Sequence, residues 1–162
     1  MRLFLALCEW LDRVATAVAV IACICVAALV LAIVVMRYCF GVGYIEMQDL
    51  ANYAFAVLLI FSLPVCLRRG GHVRVEVFSE RFPASYQRRA DALALVVFLI
   101  PVFSIAVWAW WPELAYSWSI LEGSVETGGL GGLFIVRTAL PAGAVLMILQ
   151  GIAMVLDPAD AE

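Results

Sequence analysis

The fold is decided by the run VATAVAVIACICVAALVLAIVVM, residues 14–36, in which no side chain carries a charge. At about 1.5 Å per residue, a helix of this length crosses the roughly 30 Å of hydrocarbon in a bilayer. Three further apolar runs follow at about residues 50–67, 90–111 and 133–156. The sequence therefore predicts an all-α integral membrane protein, a single membrane domain over residues 1–162 with four transmembrane helices.

The composition agrees with helices that face lipid. Apolar residues make up 66% of the 162 residues and charged residues 14%, whereas a soluble domain has about a quarter charged residues. No basic stripe with interleaved aromatics points to nucleic acid. The single histidine, His72, excludes a bis-histidine haem, and no catalytic or metal-ligating cluster can be assembled. We expect no enzyme activity, no cofactor and no metal.

The distribution of arginine predicts the topology, because the chain contains no lysine. Arg2 and Arg13 precede the first span, and six arginines separate the second span from the third: Arg68, Arg69, Arg74, Arg81, Arg88 and Arg89. The other side holds only Arg37 and Arg137. By the positive-inside rule, both termini and the middle loop are cytoplasmic, and the loops near residues 41–46 and 112–132 face outward.

Two features are predicted around the first span. Apolar residues recur at helical spacing over residues 3–11, which predicts a short interfacial helix leading into the span; we take this start as mature sequence, because the apolar run is too short for a leader. Within the span, Ala15, Ala19 and Ala22 form a stripe of small residues that would let another helix approach closely. Alanine is also simply common in membrane helices, so both interpretations stay open.

Charged residues mark the first outward loop. Arg37 ends the first span, where the helix dipole favours a cation, and Glu46 and Asp49 begin the second, where it favours anions. The two acids are three residues apart and share a helical face. This face either contacts a partner subunit or a water-filled cleft, or it consists of solvated helix-start residues that pair with Arg37.

The end of the third span is rich in aromatic residues. Trp108, Trp110, Trp111, Tyr116 and Trp118 predict an aromatic belt at the outer membrane boundary. Beyond Pro112, apolar residues at positions 114, 118, 121 and 125 predict a separate amphipathic outer helix, which the glycines at 128–132 would end.

Two polar side chains lie inside the fourth run. Arg137 is about one turn from the outer edge, and its expected partners are Glu122, Glu126 or a carboxylate of another subunit. Gln150 lies nearer the cytoplasmic end. It should form a hydrogen bond across helices worth about 1 kcal/mol or less.

The middle loop carries an amphipathic pattern over about residues 72–82. Valine and phenylalanine interleave with arginine and glutamate there, which predicts a helix lying in the cytoplasmic interface between helices 2 and 3. Candidate contact residues in this segment are His72, Arg74 and Glu76.

Two runs of residues resemble a known family. QDLANYAF (48–55), continuing to RRGGHVRVEVF (68–78), resembles the small, DctQ-like membrane subunit of TRAP (tripartite ATP-independent periplasmic) transporters. SWSILEGS (117–124), with Arg137, Pro141 and LQGIA (149–153), is similar to a subgroup of that family. The resemblance covers about residues 14–156. Glu76 stands where aspartate is more usual, and the loop at residues 41–44 is less typical.

This resemblance implies a fixed scaffold, which agrees with the sequence, because no ionisable residue is expected at the middle of any span, where a transport path would need one. The small subunit of the family has four membrane helices and binds a large, sodium-coupled permease in the bacterial inner membrane, to which a periplasmic binding protein delivers organic acids. The alternatives are a stand-alone four-helix exporter, which needs an acidic residue within a span, and the membrane anchor of a redox complex. Candidate partner or structural contacts are Arg37, Glu46, Asp49, His72, Arg74, Glu76, Glu122, Glu126, Arg137 and Gln150.

Overall fold

The computed structural model describes residues 2–69, 92–124 and 126–156. These residues form four helices that are long and apolar enough to cross a membrane, and no strand occurs among them. The helices are α1 (Arg2–Cys39), α2 (Ile45–Arg68), α3 (Ala92–Ser119) and α4 (Leu133–Leu156). The predicted all-α membrane fold with four spans is confirmed. The predicted interfacial segment at residues 72–82, with His72, Arg74 and Glu76, lies outside the described residues.

α1 is one continuous helix of 38 residues. At about 1.5 Å per residue it is about 57 Å long, which exceeds the roughly 30 Å of hydrocarbon. The predicted short helix over residues 3–11 is therefore not a separate element, because these residues continue into the span without a break. Cys8, Ala15 and Ala22 are buried. Their spacing of seven residues keeps them on one face, and small side chains there let α1 lie close to its neighbours.

α3 continues through two prolines to Ser119. We expected Pro112 to end this span and a separate helix to follow, which is wrong. Proline removes one backbone donor, and membrane helices accommodate the freed carbonyl when neighbouring groups satisfy it. Near its start the helix widens into a π-helical segment, Leu95–Leu99. Such widened turns insert an extra residue and change which side chains face the neighbouring helix.

α4 is the central helix, and it contacts each of the other three. The most apolar window of α4 is 39% buried, against 6% for α1 and α3 and 17% for α2. Most of its buried residues are small. A side chain at Gly143 would collide with Ile60 of α2, and one at Gly151 would lie 2.8 Å from Leu95 of α3. Close backbone approach therefore replaces the hydrophobic effect, which is absent between helices in lipid.

The bundle has two chemically different ends. The loop end carries the connections 40–44 and 120–132, with Arg37 and Arg137. The arginine end carries the start of α1 and the last turns of α2 and α4, and it gathers Arg2, Arg13, Arg68 and Arg69. The guanidinium of Arg69 in fact reaches Thr16 of α1 at 3.3 Å. The grouping of arginines predicted for the described residues is therefore present in the fold, while the side of the membrane that each end faces stays a prediction.

One interhelical hydrogen bond at the arginine end was expected from the sequence. The Gln150 side chain is 2% exposed, and its Nε2 donates to the backbone oxygen of Cys8 at 2.8 Å. The Cys8 thiol in turn approaches the backbone oxygen of Leu149 at 3.8 Å. This pair of contacts joins α1 to α4.

Candidate interaction surface at the loop end

The loop at residues 120–132 is held against α2 by Asp49. The carboxylate of Asp49 is only 7% exposed, and its Oδ2 accepts a hydrogen bond from the backbone N–H of Leu130 at 2.9 Å. The backbone oxygen of Leu130 accepts two more, from the Tyr53 hydroxyl at 3.0 Å and from the Ser124 N–H at 2.9 Å. The backbone of Leu130 thus takes part in three hydrogen bonds, two of them to side chains of α2, which fixes the loop on the first turns of α2.

Glycine at position 129 is required by this arrangement. A Cβ there would collide with the carboxylate of Asp49 and with the side chain of Ser124. The neighbouring Gly128 has a φ of +84°, a left-handed conformation that glycine adopts without strain. The glycine cluster forms a turn and also lets the loop backbone touch α2.

A cation between two acids holds the loop to α4. Nη2 of Arg137 donates to Oε1 of Glu122 at 2.8 Å, and Nη1 lies 3.6 Å from Oε2 of Glu113. The guanidinium also lies over the ring of Trp110, 5.9 Å from its centroid. The side chains of Arg137 and Glu122 are 24% and 21% exposed, whereas that of Glu113 is 65% exposed. The Glu122 contact is therefore the stronger one, since exposed pairs are well screened.

Aromatic residues complete the attachment to α4. Trp118 donates from Nε1 to the Thr138 hydroxyl at 3.1 Å, and its ring packs edge-on against Phe134 with centroids 4.8 Å apart. Trp110 donates from Nε1 to the backbone oxygen of Arg137 at 3.3 Å. Two of the predicted belt residues therefore also form specific contacts within the bundle, because an indole offers an apolar body and one donor.

The structure separates the predicted site residues into three groups. The first group lies at the loop end and holds the loop in place: Asp49 through Leu130, and Arg137 through Glu122. Glu46 is exposed, and so are Arg37 and Glu126; the backbone of Glu126 shapes the turn by accepting from Gly129 N–H at 3.0 Å and donating to the Ser124 hydroxyl at 3.2 Å. Gln150 lies at the opposite end.

Some contacts were not anticipated from the sequence. Glu113, not Glu126, is the second carboxylate beside Arg137. Its position at the expected end of a span was a usable signal, since an acid at that depth needs a cation nearby. The role of Tyr53 and of the Leu130 backbone had no sequence signal, because those residues are 77 positions apart.

The loop end is acidic. It carries Arg37 and Arg137 against five acids, namely Glu46, Asp49, Glu113, Glu122 and Glu126, a net charge of 2 − 5 = −3. Three of the acids, Glu46, Glu113 and Glu126, are exposed. In the described residues, no group of three His, Cys, Asp or Glu side chains is arranged to hold a metal ion. The arrangement is suited to positioning a loop and presenting negative charge.

Fold and site together define a multi-pass membrane protein whose charged residues, within the described helices, lie toward the helix ends. The model of one protein family, described as "Tripartite ATP-independent periplasmic transporters, DctQ component", matches residues 26–160. The chain belongs to this family and is the small membrane subunit of a TRAP transporter. The resemblance inferred from the sequence is confirmed. Comparisons with curated proteins and with solved structures returned no match.

Proposed function

We propose that this subunit is the fixed scaffold of a sodium-coupled transporter that takes up organic acids across the bacterial inner membrane. In this proposal both termini are cytoplasmic, the four helices support a large permease subunit, and a periplasmic binding protein delivers the substrate to the loop end. Family membership supports the proposed partners, and the excess of arginine at one end supports the orientation.

One observation carries the scaffold role. In the described helices, no Asp, Glu, Lys, Arg or His lies near the middle of a span. A transport path through lipid ordinarily needs such groups to bind or relay a charged solute. Asp49 and Arg137 are instead joined to the loop at residues 120–132. A bundle of this kind adds rigid mass to another subunit that carries the substrate.

Co-purification tests the partnership. The chain is expressed with an affinity tag beside the large permease of its own gene neighbourhood and extracted in mild detergent. We expect the two to elute as one complex, while an unrelated four-helix membrane protein with the same tag retains no permease. Failure of the two chains to co-elute would contradict the scaffold proposal. So would organic-acid transport by liposomes that contain this chain alone.

The loop end is proposed to face the binding protein. We expect the double substitution Glu46→Gln/Glu126→Gln to lower the affinity for the binding protein and to make this affinity less dependent on salt concentration. Both carboxylates are exposed, and unlike that of Asp49 they do not hold the loop. The matched control is Glu9→Gln, an exposed acid at the arginine end. Equal docking of all three proteins, measured by surface plasmon resonance on the assembled complex, would assign the binding protein to another surface.

The segment around Arg74 is proposed to seat the middle loop in the cytoplasmic interface. Arg74→Glu should weaken assembly of the complex while leaving the affinity of the binding protein for substrate unchanged, because headgroup phosphates attract arginine and repel glutamate. Arg74→Lys retains the charge and serves as the control. Unchanged assembly and uptake in Arg74→Glu would remove the segment from the proposal.

A further inference from the structure

A groove of about 420 Å³ opens at the arginine end between one face of α1 and Arg69, the residue that follows α2. Its α1 wall is a single helical face, since the lining positions 13, 16, 17, 20 and 21 recur every three or four residues. The wall changes character along the helix. It begins with Arg13 and Thr16 and continues with Ala17, Val20 and Ile21.

The mouth of the groove is polar and rich in hydrogen-bond donors. Arg69 crosses from α2 and donates from Nη2 to the Thr16 hydroxyl at 3.3 Å. The Arg13 side chain is 80% exposed, and its contact with Glu9 is long, at 3.9 Å, and exposed. Such a pair contributes little and leaves the guanidinium free to bind another anion. With Asp12, the only acid that lines the groove within the described residues, the lining charge is 2 − 1 = +1.

The depth of the groove matches half a bilayer. The nine residues from Arg13 to Ile21 span about 12 Å along the helix, and one leaflet contributes about 15 Å of hydrocarbon. If Arg13 lies at the headgroups, Ile21 lies close to the end of an acyl chain of the same leaflet. A charged mouth above an apolar floor of this length has the layout of a phospholipid.

We propose that this groove binds one membrane phospholipid. The phosphodiester lies between the guanidinium groups of Arg13 and Arg69, and one acyl chain follows Ala17, Val20 and Ile21. A phosphodiester carries one negative charge, which complements the lining charge, and arginine binds phosphate oxygens through paired N–H donors. The lipid would lie along this face of α1 beneath Arg69, at the end of the bundle opposite the surface proposed for the binding protein.

Native mass spectrometry of the purified full chain in detergent tests this site with palmitoyl-oleoyl phosphatidylglycerol as the added lipid. We expect Arg13→Gln/Arg69→Gln to weaken binding of the first lipid by about 30-fold, at roughly fivefold per arginine. The matched control is Arg2→Gln/Arg37→Gln, which removes the same charge away from the groove and should leave the first lipid bound. Equal losses in the two double variants would overturn the proposal.

Two further arms separate the lipid from a free anion. Inorganic phosphate in millimolar excess should not displace the lipid, since the acyl chain contributes to binding; displacement would show a site for free phosphate instead. Ala17→Trp, which fills the floor and leaves both arginines in place, should also weaken binding at least tenfold. A lipid with a diazirine in its acyl chain should label residues 17–21, and labelling confined to α3 and α4 would refute this location. Circular dichroism confirms that each variant is folded.

Discussion

Replacing Arg137 by glutamine is expected to destabilise the loop end more than replacing either of its acidic partners. The substitution removes the cation that lies 2.8 Å from Glu122 and 3.6 Å from Glu113. It also leaves the carboxylate of Glu122 without its charge partner, and its other oxygen, Oε2, is buried with no hydrogen-bond partner among the described residues. An uncompensated charge is costly in proportion to its burial.

The magnitude follows from the exposed fractions. Breaking a fully buried ion pair from one side costs about 3–5 kcal/mol, and side chains exposed by 24% and 21% lower this to about 2–3 kcal/mol for Arg137→Gln. Glu122→Gln keeps an amide oxygen that can accept from the guanidinium, so about 1–2 kcal/mol is expected. Glu113→Gln removes a mostly exposed carboxylate, for which about 0.5 kcal/mol or less is expected.

A double-mutant cycle measures these values. The free energy of unfolding is obtained by titrating dodecyl maltoside micelles with SDS and following helicity by circular dichroism. We expect a coupling of at least about 1 kcal/mol between Arg137 and Glu122 and a smaller one between Arg137 and Glu113. Glu126→Gln serves as the control, because the contacts of Glu126 described above are made by its backbone. A coupling to Glu113 as large as that to Glu122 would refute the argument from burial.

Three further predictions concern close packing and buried polar groups. Gly129→Ala should expose the loop to hydrogen–deuterium exchange, whereas Gly131→Ala should not, because of these two only a Cβ at position 129 would meet other atoms of the described residues; equal exchange in the two variants would contradict the fit. Gly143→Ala should lower the free energy of unfolding by about 1–3 kcal/mol through overpacking, and adding Ile60→Ala should restore part of this loss; absence of recovery would contradict a direct collision. Gln150→Leu should change the free energy of unfolding by less than about 1 kcal/mol, since it removes one hydrogen bond together with a buried amide oxygen that has no partner within the described part of the chain; a loss above about 2 kcal/mol would show that this oxygen is satisfied in the membrane.

The spans could be predicted from the sequence because they depend on local properties. A run such as residues 14–36 is apolar throughout, and the bilayer thickness sets its minimum length. The helix ends were less predictable. Glu9, Asp12 and Arg13 interrupt the apolar run, yet they are compatible with a helix that continues beyond the hydrocarbon, so α1 begins at Arg2. Pro112 likewise does not end α3, since a proline lowers the stability of a helix without necessarily ending it.

The candidate site was predicted in part. Glu122 was one of the partners expected for Arg137, together with Glu126 or a carboxylate of another subunit, and the structure places Glu122 in contact with Arg137. The position of Asp49 could not be deduced, since its partner Leu130 is 81 residues away and offers only a backbone N–H. A side chain that binds backbone leaves no complementary residue type in the sequence, so no pattern reveals the pair.

The unbroken length of α1 has a mechanical consequence. A rod of about 57 Å that passes through a thinner bilayer moves its far end sideways by about 10 Å for each 10° of tilt. Membrane thickness and the packing of neighbouring helices set that tilt. The displacement of the first residues of α1 relative to the membrane would therefore depend on the tilt of the bundle in the lipid.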